Sequence, residues 1–246
     1  MIRYLPILLV VFAAPTLAQP TAPAATTLPA LQPPTFVAPV ELDLKRVLPP
    51  WPVAGTLASE ADVQTVLAIQ QRRTNADEVD AQADSVTTMA DFTRNLLGPQ
   101  ATPERYPRLF ALMAALHQDM RGVNRAANEA QGYRLRPVLF DSRIKPSLDM
   151  VGHGAASYPS ARTSSGQVWA DVIALIIPEK AAEAQAEAER IAWRRVVGGV
   201  HYPSDLAGSR HVARAVKQAL EQSPKFQTAV ESVKRELATD PIGPTR

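Results

Sequence analysis

Cysteine is absent from the 246 residues, and histidine occurs only four times. The first absence removes disulfide frameworks and thiolate chemistry, and in an exported chain it fits a bacterial periplasm better than a small disulfide-built domain. The four His are scattered and the carboxylates do not cluster at ligand spacing, so no metal site and no cofactor are expected. Long apolar runs are missing as well: the most apolar internal stretch, 172–177, stops at Pro178, short of a membrane span. Neither charge sign dominates, with 26 Lys and Arg against 24 Asp and Glu. No block of Lys and Arg appears, so a nucleic-acid partner is not expected, and the small basic excess favours an anionic small molecule. Period-two apolar alternation is also lacking, which predicts an all-α chain.

At the start of the chain, Arg3 carries a positive charge, 7–14 is apolar, and small residues lead to Ala18 and Gln19. This is the pattern of a secretory signal peptide over 1–18, which predicts a periplasmic or secreted protein with no integral membrane association after cleavage. The rival reading, an uncleaved anchor, is disfavoured because Pro6 and Pro15 bracket the run. Residues 19–46 are rich in Pro, Ala and Thr, a composition that reads as an extended linker. The rest, 47–246, is long enough for one core and reads as one domain. Its first part, 47–53, is expected to run as a strap with Trp51 docked on the domain.

Helical patterns fill that domain. Ser59-Glu60-Ala61-Asp62 resembles a capping box ahead of apolar Val63, Val66, Leu67 and Ile69. Further helices are predicted over 76–97, 103–118, 122–130, 163–177, 179–197, 203–222 and 224–238, with Gly98, Pro99 and Pro103 as punctuation. In the fourth of these, Val168, Val172, Leu175 and Ile176 form a stripe assigned to the core. The remaining stretch, 133–156, reads as a long loop, and such loops in a compact domain are commonly functional.

The densest chemistry lies in Arg194-Arg195-Val196-Val197-Gly198-Gly199-Val200-His201-Tyr202-Pro203-Ser204-Asp205. A helix ends at the glycine pair and another starts at Pro203. His201 and Asp205 are four apart across that start, so the carboxylate can hold one imidazole nitrogen and leave the other nucleophilic. An Arg at one helix end and amides at the next helix start can face one point, which suits a phosphate. By itself the stretch is equally consistent with a surface His beside an Asp. His153 sits between glycines and reads as an exposed loop residue, while His117 and His211 read as helix-surface residues without a role.

Two more stretches set the context: Arg134-Leu135-Arg136-Pro137 and Tyr158-Pro159-Ser160-Ala161-Arg162-Thr163. In order and spacing the three resemble the signature K-x6-R-P, P-S-G-H, S-R-x5-H-x3-D of the type 2 phosphatidic acid phosphatase and vanadium haloperoxidase superfamily, most closely the bacterial class A non-specific acid phosphatases. The resemblance covers about 47–238 and implies that superfamily's multi-helix bundle. It also implies that His201 is the nucleophile that becomes phosphorylated, that Asp205 orients it, and that Arg136, Ser160, Arg195 and the amide at Ala161 hold phosphate oxygens. Three positions depart from the signature. Glu129 stands where the Lys is expected, Arg162 replaces the His that protonates the leaving group, and Arg194 replaces the Ser of the third motif. Glu129 in place of Lys repels a phosphate dianion by about a few kcal/mol at an effective dielectric near 20. A Glu129–Arg162 ion pair is the expected compensation, with Arg162 counted among the phosphate-binding residues. Arg cannot serve as a general acid, and losing one slows a reaction about 10²–10⁴-fold, less for acidic leaving groups. The resemblance therefore implies a weak phosphatase acting on a small phosphomonoester, or alternatively a catalytically silent phosphate-binding or structural relative. Family phosphatases work without a metal, and the haloperoxidase reading is disfavoured because its assisting His is the one replaced.

Overall fold

The computed structural model describes residues 33–150 and 154–242. The signal-peptide pattern over 1–18, the lead-in over 19–32, and His153 lie outside the described residues. Within them the chain is all-α, as its patterning predicts, and the one β pairing is an isolated antiparallel bridge between Leu135 and Ala156. In chain order the helices are α1 (Leu44–Val47), α2 (Leu57–Arg72), α3 (Asn75–Val86), α4 (Met89–Leu97), α5 (Pro107–Ala130), α6 (Pro137–Phe140), α7 (Ala161–Ile176), α8 (Ala181–Val197), α9 (Pro203–Gln222) and α10 (Pro224–Thr239).

α7 is the central helix, packed most extensively against α8 and α9 and also against α5. Its sequence explains this position: Val168, Trp169, Ala170, Val172, Ile173 and Ile176 are all buried, so the helix is apolar around most of its circumference. Trp169 meets Phe92 of α4 edge to face, ring centroids 5.6 Å apart. Leu175, assigned to the same stripe from sequence, is exposed; it sits on the one outward line of the helix.

Several boundaries differ from expectation for identifiable reasons. The segment 76–97 divides into α3 and α4 because Thr88 caps a new helix: its hydroxyl accepts from Asp91 N at 3.1 Å and Asp91 accepts from Thr88 N at 2.9 Å. Conversely, 103–118 and 122–130 fuse into one helix. Gly122 does not break α5, because Leu116, Met120, Val123 and Ala127 keep one apolar face buried across it. α2 begins at Leu57, two residues before the expected capping Ser, with Thr56 accepting from Ser59 N at 3.3 Å. The predicted loop 133–156 carries the one-turn helix α6.

The described part of the lead-in packs on the helical body. Asp119 of α5 accepts from Thr35 N, Phe36 N and Val37 N at 2.7, 2.7 and 3.1 Å. Val37, Leu42 and Leu44 join the core, and the Phe36 ring stands 5.7 Å from that of Phe226 in α10. Composition predicts an extended backbone here, and an extended backbone offers its amides to a buried carboxylate. Trp51 docks as expected, donating to Gln131 O at 3.1 Å.

Candidate active site

His201 sits in the turn between α8 and α9. α8 closes with Gly198 N donating to Arg194 O at 2.8 Å, and Gly199 takes a left-handed φ of 73°, which only glycine adopts without strain. That turn brings His201 N within 3.3 Å of Arg195 O and buries the side chain. Asp205, wholly buried, accepts from Tyr202 N at 2.9 Å, and its Oδ2 lies 3.4 Å from His201 Nδ1. On the other side of the ring, Arg136 Nη1 is 2.9 Å from His201 Nε2. Arginine only donates, so Nε2 is the accepting nitrogen and the ring proton is on Nδ1, facing Asp205. This tautomer leaves the Nε2 lone pair on the side of Arg136.

Arg136 is buried, and each of its bonds has a clear origin. The Leu135–Ala156 bridge, with Arg136 N donating to Ala155 O at 3.1 Å and Ser157 N to Arg134 O at 2.8 Å, pins the segment. Arg136 Nε donates to Gly154 O at 2.6 Å and Nη1 to Val200 O at 3.0 Å. Ser160, also wholly buried, is the N-cap of α7, its hydroxyl accepting from Thr163 N at 3.4 Å and from the Thr163 hydroxyl at 3.0 Å. α5 holds the approach to it, because Asn128 donates to Tyr158 O and Pro159 O at 2.8 and 3.0 Å. α9 holds the other side, with Ser209 donating to Ser160 O at 2.9 Å. Beside it, Gly208 lets the Tyr158 ring lie on the α9 backbone; a Cβ there would fall 2.4 Å from that ring. Ala161 is the first residue of α7 and has a negative φ, so a side chain at this position carries no backbone strain.

Arg162 and Glu129 do not pair. Glu129 is exposed on α5. Arg162 instead donates from Nη1 to Thr87 O and from Nη2 to Ser85 O, the latter at 2.5 Å. These carbonyls belong to the end of α3 and the turn beyond it, which the break before α4 leaves open, so the cation caps a helix C-terminus. Arg194, at the position of the expected Ser, reaches Asp84 at 2.9 Å and Asp80 at 3.2 Å. Arg195 differs from all of these. It is 97% buried, yet its Nε and Nη1 have no hydrogen-bond partner among the described residues. Burial, followed by repulsion from Arg162 and Arg136, pushes its guanidinium down to about 9. Arg136 and Arg162 are lowered as well, each first by burial. The charges of Arg162 and Arg136 thus act on Arg195 with Asp84 as the opposing charge, and Asp84 is itself held by Arg194. A buried cation with unused donors is suited to an anion.

Sequence reasoning assigned roles to His201, Asp205, Arg136, Ser160, Ala161, Arg162 and Arg195 but none to Arg134, Asp62, Ser204 or Asp84. Arg134 Nη1 donates to Asp205 Oδ1 at 2.6 Å and Nη2 to Asp62 Oδ2 at 2.7 Å. Asp62 comes from α2, and no local pattern connects it to the site; Arg134 could have been flagged by its position two residues before Arg136. Burial pushes the Asp205 carboxyl up to about 6, opposed by Arg134, Tyr202 N–H and Ser157. His117 is partly buried on α5, its ring 5.7 Å from that of Trp169, and burial lowers its pKa.

No family model matches the chain. It is 28% identical to the non-specific acid phosphatase of Salmonella typhimurium over 166 residues, which are 66% of this chain and 64% of that protein. It is 24% identical over 207 residues to the non-specific acid phosphatase of Providencia stuartii, covering 80% and 82%, and 27% identical over 196 residues to the acid phosphatase of Zymomonas mobilis, covering 77% and 74%. The match spans a little under two thirds of the length of the Salmonella protein. With His201, Asp205, Arg136, Ser160 and Arg195 in the signature's order on an all-α body, the chain is similar, at 24–28% identity, to bacterial acid phosphatases.

Proposed function

We propose that this protein is an exported acid phosphatase that hydrolyses small phosphomonoesters through a phosphohistidine at His201. The observation that carries the reading is the buried, unpartnered edge of Arg195 in a group of guanidiniums whose Arg136 lies 2.9 Å from His201 Nε2. In the resting protein Arg136 donates to the lone pair that phosphorus would take. An incoming phosphate replaces that contact: its oxygens take donors from Arg136 and Arg195, the Ser160 hydroxyl and the amides at the start of α7. Nε2 then attacks phosphorus as the ester P–O bond breaks, and Asp205 stabilises the imidazolium through Nδ1–H. Water cleaves the N–P bond in a second step, releasing inorganic phosphate. Export rests on the charged start, apolar run and small residues over 1–18.

Arg162 shapes the activity. It stands where the resemblance places the leaving-group acid, cannot give up a proton, and is tied to carbonyls of the α3 terminus. The leaving oxygen must therefore depart as an anion or take its proton from solvent, which favours acidic leaving groups such as phenols. The same tether supports the second reading, a phosphate binder without turnover. Hydrolysis of p-nitrophenyl phosphate by the mature protein, beside His201→Ala and with vanadate as inhibitor, separates them. Activity that vanadate blocks and His201→Ala abolishes supports the enzyme; activity no greater than the variant's leaves the binder.

A further inference from the structure

Arg134 and Asp62 have no part in holding phosphate, yet both are charged and buried. Arg134 uses both terminal nitrogens of its planar fork. Nη1 donates to Asp205 Oδ1 at 2.6 Å and to the Ser204 hydroxyl at 2.7 Å, and Nη2 donates to Asp62 Oδ2 at 2.7 Å. Its guanidinium lies 3.9 Å from the centroid of the Tyr202 ring and 5.8 Å from that of Trp51. Asp62 in turn accepts from Ser204 N at 3.2 Å and from the Ser204 hydroxyl. One cation is thus clamped between carboxylates of α2 and α9, with the first turn of α9 bonded to both.

We propose that Arg134 and Asp62 are positioning residues for His201: Arg134 locks Asp205 so that its second oxygen faces His201 Nδ1, and Asp62 locks Arg134. This rests on the phosphohistidine reading. The geometry divides the two oxygens of Asp205 between two tasks. Oδ1 goes to Arg134, while Oδ2 takes Tyr202 N and faces the imidazole. The terminal torsion of an aspartate is broad and two-fold, so neither oxygen is assigned to a task unless one is held.

The charge state of Asp205 depends on the same contact. Facing it are His201 and Tyr202 at the start of α9, Arg134 and Arg136 from the segment after α5, and Ser157 and Tyr158 from the segment before α7. Asp62 of α2 lies beyond Arg134, and Asp141 acts on Tyr202 from beyond α6. Arg134 is the cation bonded to Asp205 among the described residues. A protonated Asp205 would lose the negative charge that favours the proton on Nδ1, and with it the preference for the tautomer that bares Nε2.

The test uses full-length wild type, Arg134→Gln, Arg134→Lys and Asp62→Asn with two readouts. One is the pH profile of p-nitrophenyl phosphate hydrolysis; the other is the pH titration of the Asp205 carboxyl carbon by NMR, assigned with Asp205→Asn. Arg134→Gln is expected to raise both the acid limb and the carboxyl titration by about 1–3 pH units. Its kcat at pH 6 should fall at least about tenfold with KM changed less than about threefold, the signature of an effect on the reacting group. Arg134→Lys, which keeps the charge but not the fork, should shift both less. Asp62→Asn removes an anion and leaves Arg134 charged, so its Asp205 titration should stay at or below that of wild type. An unchanged Asp205 titration in folded Arg134→Gln overturns the proposal, as does an equal upward shift in Asp62→Asn. If the Gln variant does not fold, an unshifted Lys variant overturns it. Absence of hydrolysis by wild type removes the phosphohistidine reading, and the carboxyl titration still decides the positioning.

Discussion

The two flanks of His201 are both buried and both charged, but they are built on opposite principles. On the Nδ1 side, Asp205, Arg134 and Asp62 alternate in sign, every contact is 2.6–3.4 Å, and Ser204 and Tyr202 N supply further bonds. On the Nε2 side, Arg136, Arg162 and Arg195 share one sign, and Arg195 keeps two donors unused. A matched network holds a side chain still, whereas an unmatched one stores binding capacity for an anion. The His201 imidazole lies at the junction, and under the proposed function it is oriented from one flank and supplied with substrate from the other.

Breaking the junction itself should have the largest effect: His201→Ala is expected to lower hydrolysis by about 10⁴-fold or more, measured with p-nitrophenyl phosphate. Next comes the unmatched flank. Arg195→Met should weaken phosphate or vanadate binding by about 10²–10³-fold, as expected for a lost buried charge with two bonds. Its effect on the empty protein has the opposite sign. Arg195 titrates at about 9, well below an ordinary guanidinium, so above that pH the unfolded chain holds a proton that the fold does not. Stability contributed by this group therefore rises with pH from about 9 to the ordinary guanidinium range, and at neutral pH its charge opposes folding. Arg195→Met should not lower the thermal midpoint at pH 7, and anion affinity of wild type should fall above pH 9.

Arg162→His sharpens the comparison more gently. Restoring a group that can carry a proton should raise turnover of alkyl phosphates by about tenfold or more, with little change for p-nitrophenyl phosphate. It also removes the cap on α3, so the thermal midpoint should fall slightly, in keeping with a loss of about 1 kcal/mol. The smallest effect on the site is expected far from both flanks. Asp119→Ala orphans three strap amides and should cost about 2 kcal/mol, or roughly 4–8 °C in midpoint, with KM unchanged.

These outcomes bear on what a sequence can disclose. The residues proposed as nucleophile, carboxylate partner and phosphate ligands, His201, Asp205, Arg136, Ser160 and Arg195, could be singled out because each motif is local and their order is distinctive. Fold class was legible from helical periodicity, although 119–121 was left out between two predicted helices and Thr88-x-x-Asp91 was overlooked as a capping box. The ion-pair clamp was not legible, since Asp62 meets Arg134 across 72 residues and no short pattern encodes that contact. The Glu129–Arg162 pair failed for a related reason. Charge alone suggested it, but the carbonyls opened at the end of α3 offered Arg162 a closer partner.

The most direct test of the account is calorimetric titration of vanadate into wild type and Arg195→Met at pH 7, in a buffer free of phosphate. The account predicts one-site binding to wild type that inorganic phosphate competes away and that Arg195→Met loses, with no loss of fold. Equal binding by the two proteins, or none by wild type, would contradict it.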